Sequence, residues 1–428
     1  MPTTRLWSEL AAFPKGRRIA IISDSFGGPN VARQESFPQA YSSTTGVVAM
    51  LQALSFGQFL VDADDVHAVS GETTAEMRAR YGDDIAATYG RFDILWIDGG
   101  RNDGHTSLAS GEETVANIVA MATAARDAGK LVLVFTPNPP RSYAISSDDH
   151  RRVRGYVNRE VKKWCATQAS VAYIDVWRDW VDPADATGGP ASGITTDGLH
   201  PDVTGAIYAA RRTLEQIGAS YSRPPREQSA WDWYDPTTNP KGNLLALRST
   251  SVPRMAGTDG SVSTYSGTVA SGFTAERIAG TGDEIAFSKE AAVAGYDSPG
   301  SEAQVITVST LDGATNGVLR TDIGSAPDDT TKGSFIFGQF EVELAGMSGC
   351  TGLFALMQYW DGAANVGSYG LNNGSGGVIP WPDGTYLIRT PSLLIGEAAQ
   401  NLQLMLGFVF ESGGSGVIKA RSPGIWIR

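Results

Sequence analysis

The first half of the chain alternates short apolar runs with stretches of helical periodicity. Apolar, β-branched runs predict strands at 18–22, 66–69, 92–97, 131–136 and 171–175. Helical patterns lie between and after them at 46–54, 74–81, 112–128, 148–167 and 203–216. Strands that are buried on both faces and alternate with helices predict an α/β domain with a doubly wound parallel sheet. A ligand site is expected at the carboxyl ends of its strands.

The pattern changes after residue 242, where the helical periodicity is replaced by short alternating strands. Examples are 338–344, 352–359, 384–389, 402–410 and 417–420, separated by turns rich in Gly, Ser, Asn and Asp. Such spacing is typical of an all-β antiparallel sandwich or jelly roll. The sequence therefore predicts one domain over 1–221, a linker or docking segment over 222–242, and a β-sandwich over 243–428.

Residues with catalytic side chains stand where the predicted strands of the first domain end. Ser25 lies in the turn after the first strand, and Asn102 follows the third strand within Gly-Arg-Asn-Asp. Asp197 and His200 are three residues apart, just before the last helix. A serine that can reach an imidazole oriented by a carboxylate favours acyl transfer by a serine nucleophile. The alternative is that Ser25 is an ordinary turn residue and His200 caps the following helix. That explains each residue alone but not their combination.

Four blocks, in order, carry a family resemblance. They are Ser23-Asp24-Ser25, the glycine of Ser70-Gly71-Glu72, Gly100-Arg101-Asn102-Asp103, and Asp197 to His200. The chain resembles the SGNH (GDSL-type) hydrolases over roughly residues 15–220, with Ser23 in place of the glycine that is usual there. The resemblance implies a flavodoxin-like sheet and a catalytic triad of Ser25, Asp197 and His200. It also implies an oxyanion hole formed by the backbone N–H groups of Ser25 and Gly71 and the amide of Asn102, with no metal or organic cofactor.

Composition narrows the range of partners. The 428 residues carry a net charge of −12, which disfavours nucleic acid because phosphate binding needs a basic surface. No apolar run approaches the ~20 residues that span a bilayer, and the start of the chain lacks the apolar core of a signal peptide. The two cysteines, Cys165 and Cys350, fall in different predicted domains and suggest no disulfide.

The predicted function is that of a serine esterase that removes O-acetyl groups from a polysaccharide of a bacterial surface. A hydrolase joined to a β-sandwich without a signal peptide suggests a phage tail fibre or spike, located on the virion or outside the cell, although a cytoplasmic location stays open. Alternatives are a broad carboxylesterase or lipase-like enzyme, and a non-enzymatic receptor-binding virion protein. Expected partners are the ester substrate, a second copy of the chain, or neighbouring virion proteins.

Aromatic residues of the β region suggest sugar stacking, although ordinary packing in a sandwich core is the stronger interpretation. The residues in question are Tyr359, Trp360, Asp361, Tyr369, Asn372, Asn373, Trp381 and Tyr386. The other candidates for ligand contact, Arg101 and His105, stand beside Asn102, and solvated side chains are the simpler expectation for both.

Overall fold

The computed structural model describes most of the 428 residues. The described ranges are 17–35, 39–135, 148–185, 188–195, 197–217, 232–247, 251–282, 284–291, 302–323, 331–372 and 377–428. By the contacts between its residues the chain divides into two units. One comprises Met1–Ala32 and Thr44–Pro224, and the other comprises Arg33–Ser43 and Pro225–Arg428.

A five-stranded parallel sheet organises the first unit. Its strands are β1 (Arg17–Ser23), β4 (Phe59–Ala68), β5 (Ile94–Asp98), β6 (Leu131–Phe135) and β7 (Val171–Ile174), in the order β4-β1-β5-β6-β7. All four pairings are parallel. This order is the flavodoxin-like doubly wound arrangement that the alternating pattern and the resemblance predicted.

Helices flank this sheet close to their predicted positions. They are α1 (Val47–Leu54), α2 (Thr74–Asp84), α3 (Leu108–Asp127), α4 (Asp148–Thr167), α5 (Trp177–Trp180) and α6 (Val203–Gln216), with a 3-10 turn at Ala86–Thr88. The side chains of β1, β5 and β6 pack with α2, α3 and α4 into one buried cluster that includes Ile22, Leu95, Met121, Val134 and Val157. Burial of both sheet faces explains the continuous apolar runs of the strands.

The second unit is mainly antiparallel, as predicted. Its strands are β3 (Ala40–Ser43), β8 (Ser261–Ser263), β9 (Ser266–Gly267), β10 (Phe273–Gly280), β11 (Ile285–Glu290), β12 (Ala303–Val308), β13 (Thr315–Asp322), β14 (Phe335–Trp360), β15 (Asn365–Asn372), β16 (Gly384–Arg389), β17 (Leu393–Leu394) and β18 (Gln400–Ile427). The two-residue β2 (Ala32–Arg33) pairs with β3, and a 3-10 turn occupies Leu244–Leu247. Parallel pairs occur between β8 and β10, β9 and β11, and β3 and β15.

Two long strands replace four of the predicted short ones. The predicted strands at 338–344 and 352–359 are parts of β14, and those at 402–410 and 417–420 are parts of β18. Glycines with positive φ, Gly346 and Gly349 in β14 and Gly413 in β18, accommodate local irregularities where the sequence suggested turns. The register between β14 and β18 shifts around residues 345–352, so the pair bends without ending.

An excursion of the chain shortly after Ser25 supplies β3 to the second unit. Ser368 and Tyr369 of β15 pair with Ala40 and Tyr41 of β3. The Ser42 hydroxyl also accepts a hydrogen bond from the N–H of Leu371 at 2.9 Å. The excursion, Arg33–Ser43, lies within the span that the sequence assigned to the first domain, yet it packs with the second unit.

Most aromatic candidates for sugar stacking are core residues. Tyr359, Trp381 and Tyr386 are buried. The hydroxyl of Tyr359 donates to the Leu394 carbonyl at 2.9 Å, and that of Tyr386 donates to the Pro382 carbonyl at 2.5 Å. Trp360 remains exposed, and Asn373 lies outside the described residues. In the part of the chain that the structure describes, no helix is both long and apolar enough to cross a membrane.

Candidate active site

The loop after β1 presents Ser25 at the carboxyl edge of the parallel sheet. The Asp24 carboxylate accepts a hydrogen bond from the N–H of Phe26 at 3.1 Å, and the Asp24 carbonyl accepts one from Gly27 at 3.2 Å. A Cβ on Gly27 would lie 2.7 Å from the Cβ of Ser23 and 2.8 Å from that of Ala68. The turn therefore requires glycine at this point, and it leaves Ser25 half-buried with its side chain available.

The structure brings Ser25, His200 and Asp197 into one hydrogen-bonded line. His200 Nε2 lies 2.9 Å from Ser25 Oγ, and His200 Nδ1 lies 2.7 Å from Asp197 Oδ2. A carboxylate beside Nδ1 favours the tautomer with the proton on that nitrogen, which leaves Nε2 free to accept the serine proton. The three predicted residues thus have the geometry of nucleophile, base and orienting acid.

The Asp197 carboxylate is held by its own loop. Its Oδ1 accepts hydrogen bonds from the N–H groups of Leu199 at 2.8 Å and His200 at 2.7 Å. Partial burial alone would raise the pKa of Asp197, but these bonds and the one from the His200 ring outweigh it, so the pKa lies below its ordinary value. Asp197 is therefore ionised at neutral pH, and its negative charge can stabilise an imidazolium beside it.

The loop that carries His200 is fixed by the start of α6. Asp202 caps this helix by accepting from the N–H of Gly205 at 2.9 Å. A Cβ on Gly205 would lie 2.4 Å from the Ile194 carbonyl oxygen, so the helix approaches the preceding loop closely. On the other side, the rings of Phe26 and His200 pack with centroids 5.1 Å apart.

Two backbone N–H groups near the nucleophile are unused within the described residues. Neither the N–H of Ser25 nor that of Gly71 donates a hydrogen bond there. The Asn102 side-chain amide donates to the carbonyl of Glu72 at 3.0 Å and reaches Asp24 Oδ2 at 3.4 Å. Asn102 is thus tied both to the Gly71 loop and to the loop that carries Ser25. An amide has two N–H groups, so Asn102 can serve the oxyanion hole that the resemblance implied only by giving up its longer contact, the one with Asp24.

A buried ion cluster lies beneath these loops. The Arg101 guanidinium contacts Asp24 at 2.7 Å and Asp98 at 2.6 Å, and the three side chains are almost fully buried. Burial, with the like charge of Asp24, raises the pKa of Asp98 even though Arg101 opposes the shift. Arg101 also stacks on the Phe26 ring, with its Cζ 3.7 Å from the ring centroid. The expectation of a solvated Arg101 was wrong, because both carboxylates at the strand ends need an internal cation.

His105 and Asp103 both make contacts inside the domain. A solvated His105 was expected, and this expectation was wrong. His105 is buried, with Nε2 3.2 Å from the Thr114 hydroxyl. Burial first, and then the charge of Arg154, lower the pKa of His105 to about 4, so the ring is neutral near pH 7. Asp103 accepts from the N–H of Thr74 at 3.1 Å and the hydroxyl of Thr114 at 3.0 Å, joining α2 and α3 beside the Asn102 loop.

Comparison with protein families identifies the domain that carries the candidate site. The model of the GDSL-like lipase/acylhydrolase family matches residues 26–206. These residues form an SGNH domain. Residues 26–206 are therefore a domain of the GDSL/SGNH hydrolase family, and a mainly antiparallel β region follows it.

Solved structures similar to the chain cover the SGNH domain. A GDSL-like lipase from Bacteroides thetaiotaomicron is 16% identical, with 50% of this chain and 94% of that chain covered and a TM-score of 0.34. An acetylxylan esterase from Geobacillus stearothermophilus is 21% identical, with 49% and 97% covered and a TM-score of 0.38. Similarities this distant do not bear on the substrate. None of the curated proteins compared with the chain matches it.

Sequence reasoning missed the roles of Arg101 and Phe26 in the SGNH domain. Asp98 closes a strand three residues before Arg101, and this spacing was the available signal for an ion pair. The other partner, Asp24, is 77 residues away in the chain. Phe26 gave no signal beyond its position next to Ser25.

Replacing Arg101 should mainly destabilise the SGNH domain. Arg101→Met leaves two buried carboxylates without their cation, and we expect the free energy of unfolding, measured in urea, to fall by about 3–5 kcal/mol. Arg212→Met is the control, because it breaks the partly exposed pair of Arg212 with Asp179, at an expected cost of about 1 kcal/mol or less. Equal losses for the two variants would show that the buried cluster contributes no more than a surface pair.

Proposed function

We propose that the chain is a serine ester hydrolase in which Ser25 is the nucleophile, His200 the general base and acid, and Asp197 the residue that orients the imidazole. The observation that carries this proposal is the line of contacts from Ser25 Oγ to His200 Nε2 at 2.9 Å and from His200 Nδ1 to Asp197 at 2.7 Å. A serine hydroxyl is a poor nucleophile at neutral pH, and this arrangement supplies both the base and its orientation.

The steps follow from these contacts. Ser25 Oγ forms a bond to the ester carbonyl carbon as its proton passes to His200 Nε2, and the carbonyl electron pair moves to the oxygen. The N–H groups of Ser25 and Gly71 and the Asn102 amide are the donors for that oxyanion. The carbonyl then re-forms, the bond to the alcohol oxygen breaks, and the alcohol takes the proton from Nε2. Water repeats the sequence on the acyl-serine and releases the carboxylic acid.

The proposed substrate is a short acyl ester, such as an O-acetyl group, on a neutral polysaccharide. The side chains of His200 and Asp197 are 39% and 49% exposed, so a bulky hydrophilic carrier can reach the triad without entering a deep cavity. The net charge of −12 also disfavours polyanionic carriers. The location on a virion remains a prediction from the sequence.

Removal of the Ser25 hydroxyl should abolish turnover. Ser25→Ala is expected to leave 4-nitrophenyl acetate unhydrolysed while the far-UV circular dichroism stays unchanged, because a single half-buried oxygen is lost. Ser70→Ala, at an exposed serine in the next loop of the same sheet edge, is the control and should keep its activity. Normal hydrolysis by Ser25→Ala would refute the mechanism.

The substrate proposal predicts a preference for short acyl groups. The full chain should release acetate from acetylated xylan and should hydrolyse 4-nitrophenyl acetate faster than 4-nitrophenyl palmitate, since an exposed triad offers little apolar surface to a long acyl chain. Both reactions can be followed with the same enzyme preparation. Faster hydrolysis of the palmitate, without acetate release from the polymer, would favour a lipase-like enzyme.

The pH profile of the activity should show a single fall on the acid side. His200 must be neutral to accept the serine proton, so the rate of acetate release should be low in acid and rise to a plateau as pH increases. The lowered pKa of Asp197 keeps that carboxylate ionised throughout, so no second acid limb is expected. A rate that does not fall in acid, with acylation rate-limiting, would contradict His200 as the base.

A further inference from the structure

We infer that Arg80, on α2, is a positioning residue that holds the three candidate oxyanion donors in one arrangement. The inference rests on the proposed function, because it concerns how the oxyanion hole of that reaction is kept in place. It is carried by the contacts of a single guanidinium with Glu72, in the Gly71 loop, and with the ends of the two strands that lead to Ser25 and Gly71.

The first set of contacts fixes the residue after Gly71. Arg80 Nε lies 2.8 Å and 2.9 Å from the two carboxylate oxygens of Glu72, and Arg80 Nη2 lies 2.6 Å from one of them. The side chains of Arg80 and Glu72 are 18% and 8% exposed, respectively. A charged pair this enclosed is screened little by solvent, and its forked geometry resists rotation.

The second set of contacts joins two strands of the parallel sheet. Arg80 Nη2 also donates to the carbonyl of Ser23 at 3.2 Å and to that of His67 at 3.1 Å. Ser23 ends β1, two residues before Ser25, and His67 is the penultimate residue of β4, four residues before Gly71. The guanidinium therefore bridges the ends of two strands that already pair side by side, the strand that leads to Ser25 and the strand that leads to the Gly71 loop.

Glu72 connects the Arg80 contacts to the third donor, the Asn102 amide. Its carbonyl accepts the hydrogen bond from the Asn102 amide at 3.0 Å, while its side chain is held by Arg80. Glu72 is thus the junction between the Gly71 loop and Asn102. A displacement of Glu72 would move both donors with respect to the Ser25 N–H.

The Gly71 loop has little packing of its own to hold it. Val69, Ser70 and Gly71 are exposed, and a Cβ built on Gly71 would meet no atom within 4 Å. Gly71 adopts a φ of +79°, and because glycine has no Cβ its backbone has few steric restraints. The position of its N–H therefore depends on the turn that the Glu72 N–H closes with the Val69 carbonyl, 3.3 Å away, and on the cation that holds the Glu72 side chain.

This arrangement should matter more in the transition state than in the bound substrate. Donors to an oxyanion gain strength as the negative charge develops, and a displacement of about 1 Å can cost on the order of 10²-fold in rate. Loss of Arg80 should accordingly lower kcat and leave KM nearly unchanged. A purely structural role would lower the stability, and a smaller active fraction would lower the apparent kcat at constant KM, so kcat is taken per active enzyme as titrated by the acyl-enzyme burst.

The first test compares four full-length variants by kcat and KM on 4-nitrophenyl acetate. Arg80→Met is expected to lower kcat by roughly 10- to 100-fold with KM within about twofold. Arg80→Lys should retain more activity, because an ammonium can replace one contact but not the fork. Asp84→Asn removes a partner of the same guanidinium, 2.6 Å away, that contacts neither Glu72 nor the Ser23 carbonyl and reaches His67 only at its ring, 4.0 Å away. That variant and Arg212→Met should stay within about twofold of the parent chain in kcat.

The second test is a double-mutant cycle with Asn102. Asn102→Ala alone should lower kcat by roughly 10²–10³. If Arg80 acts through the oxyanion hole, Arg80→Met should cost much less in the Asn102→Ala background than in the parent chain. Multiplicative effects of the two changes would overturn the inference. So would a change in KM alone, or a loss for Asp84→Asn as large as that for Arg80→Met.

The thermal unfolding of each variant is followed by circular dichroism to show whether it folds. If Arg80→Met does not fold, Arg80→Lys and Glu72→Gln carry the same test, with kcat expected to fall and KM to hold in both. Wild-type kcat in these two variants would overturn the inference. A different result, full activity in Ser25→Ala, would refute the proposed function. Failure of Arg80 as a positioning residue would leave that result untouched.

Discussion

The pairing of Arg101 with Asp24 and Asp98 is the interaction on which the rest of the candidate site depends. The carboxylates stand at the ends of neighbouring parallel strands and are buried, so they would be costly there without a cation. Asp24 also closes the turn that presents Ser25, and Arg101 supports Phe26, which packs against His200. The cluster thereby connects the stability of the sheet edge to the geometry of the triad.

The site separates buried, fixed charges from exposed, reactive ones. Arg101 and its two carboxylates are almost fully buried, whereas the Asp197 and His200 side chains are 49% and 39% exposed. The pair proposed to be catalytic is open to solvent and to a bulky substrate. The buried ions hold the loops that carry the nucleophile and Asn102. Each group of charges thus has the solvent access that its role requires.

The two units do not simply follow one another along the chain, because the chain passes between them three times. The chain passes from the first unit to the second at residues 32–33, returns at 43–44, and passes over again at 224–225. β3, supplied by the early excursion, pairs with β15. A chain cut near residue 222 would therefore keep β3 and lose the strand with which it pairs. Such an exposed strand invites non-native pairing.

Much of the parallel sheet, and the grouping of Ser25 with Asp197 and His200, could be predicted because the signals are local. The apolar runs around Ile19, Leu95 and Val132 reflect burial on both faces of a parallel sheet, and 148–167 and 203–216 are the observed limits of α4 and α6. Asp197 and His200 are close in sequence, and their spacing indicates a shared loop. Ser25, Gly71 and Asn102 were assigned from short blocks at strand ends, where parallel strands converge on one edge.

Only the tertiary structure decided which charged residues are buried and which strands continue. Arg101, Arg80 and His105 appear in the sequence as ordinary polar residues, since the partners that bury them come from distant strands and helices. β14 and β18 continue through glycines that suggested turns, because pairing with each other stabilises them through the bends. Local periodicity records the average surroundings of a segment, whereas ion pairs, strand register and the early excursion depend on contacts between residues far apart in the chain.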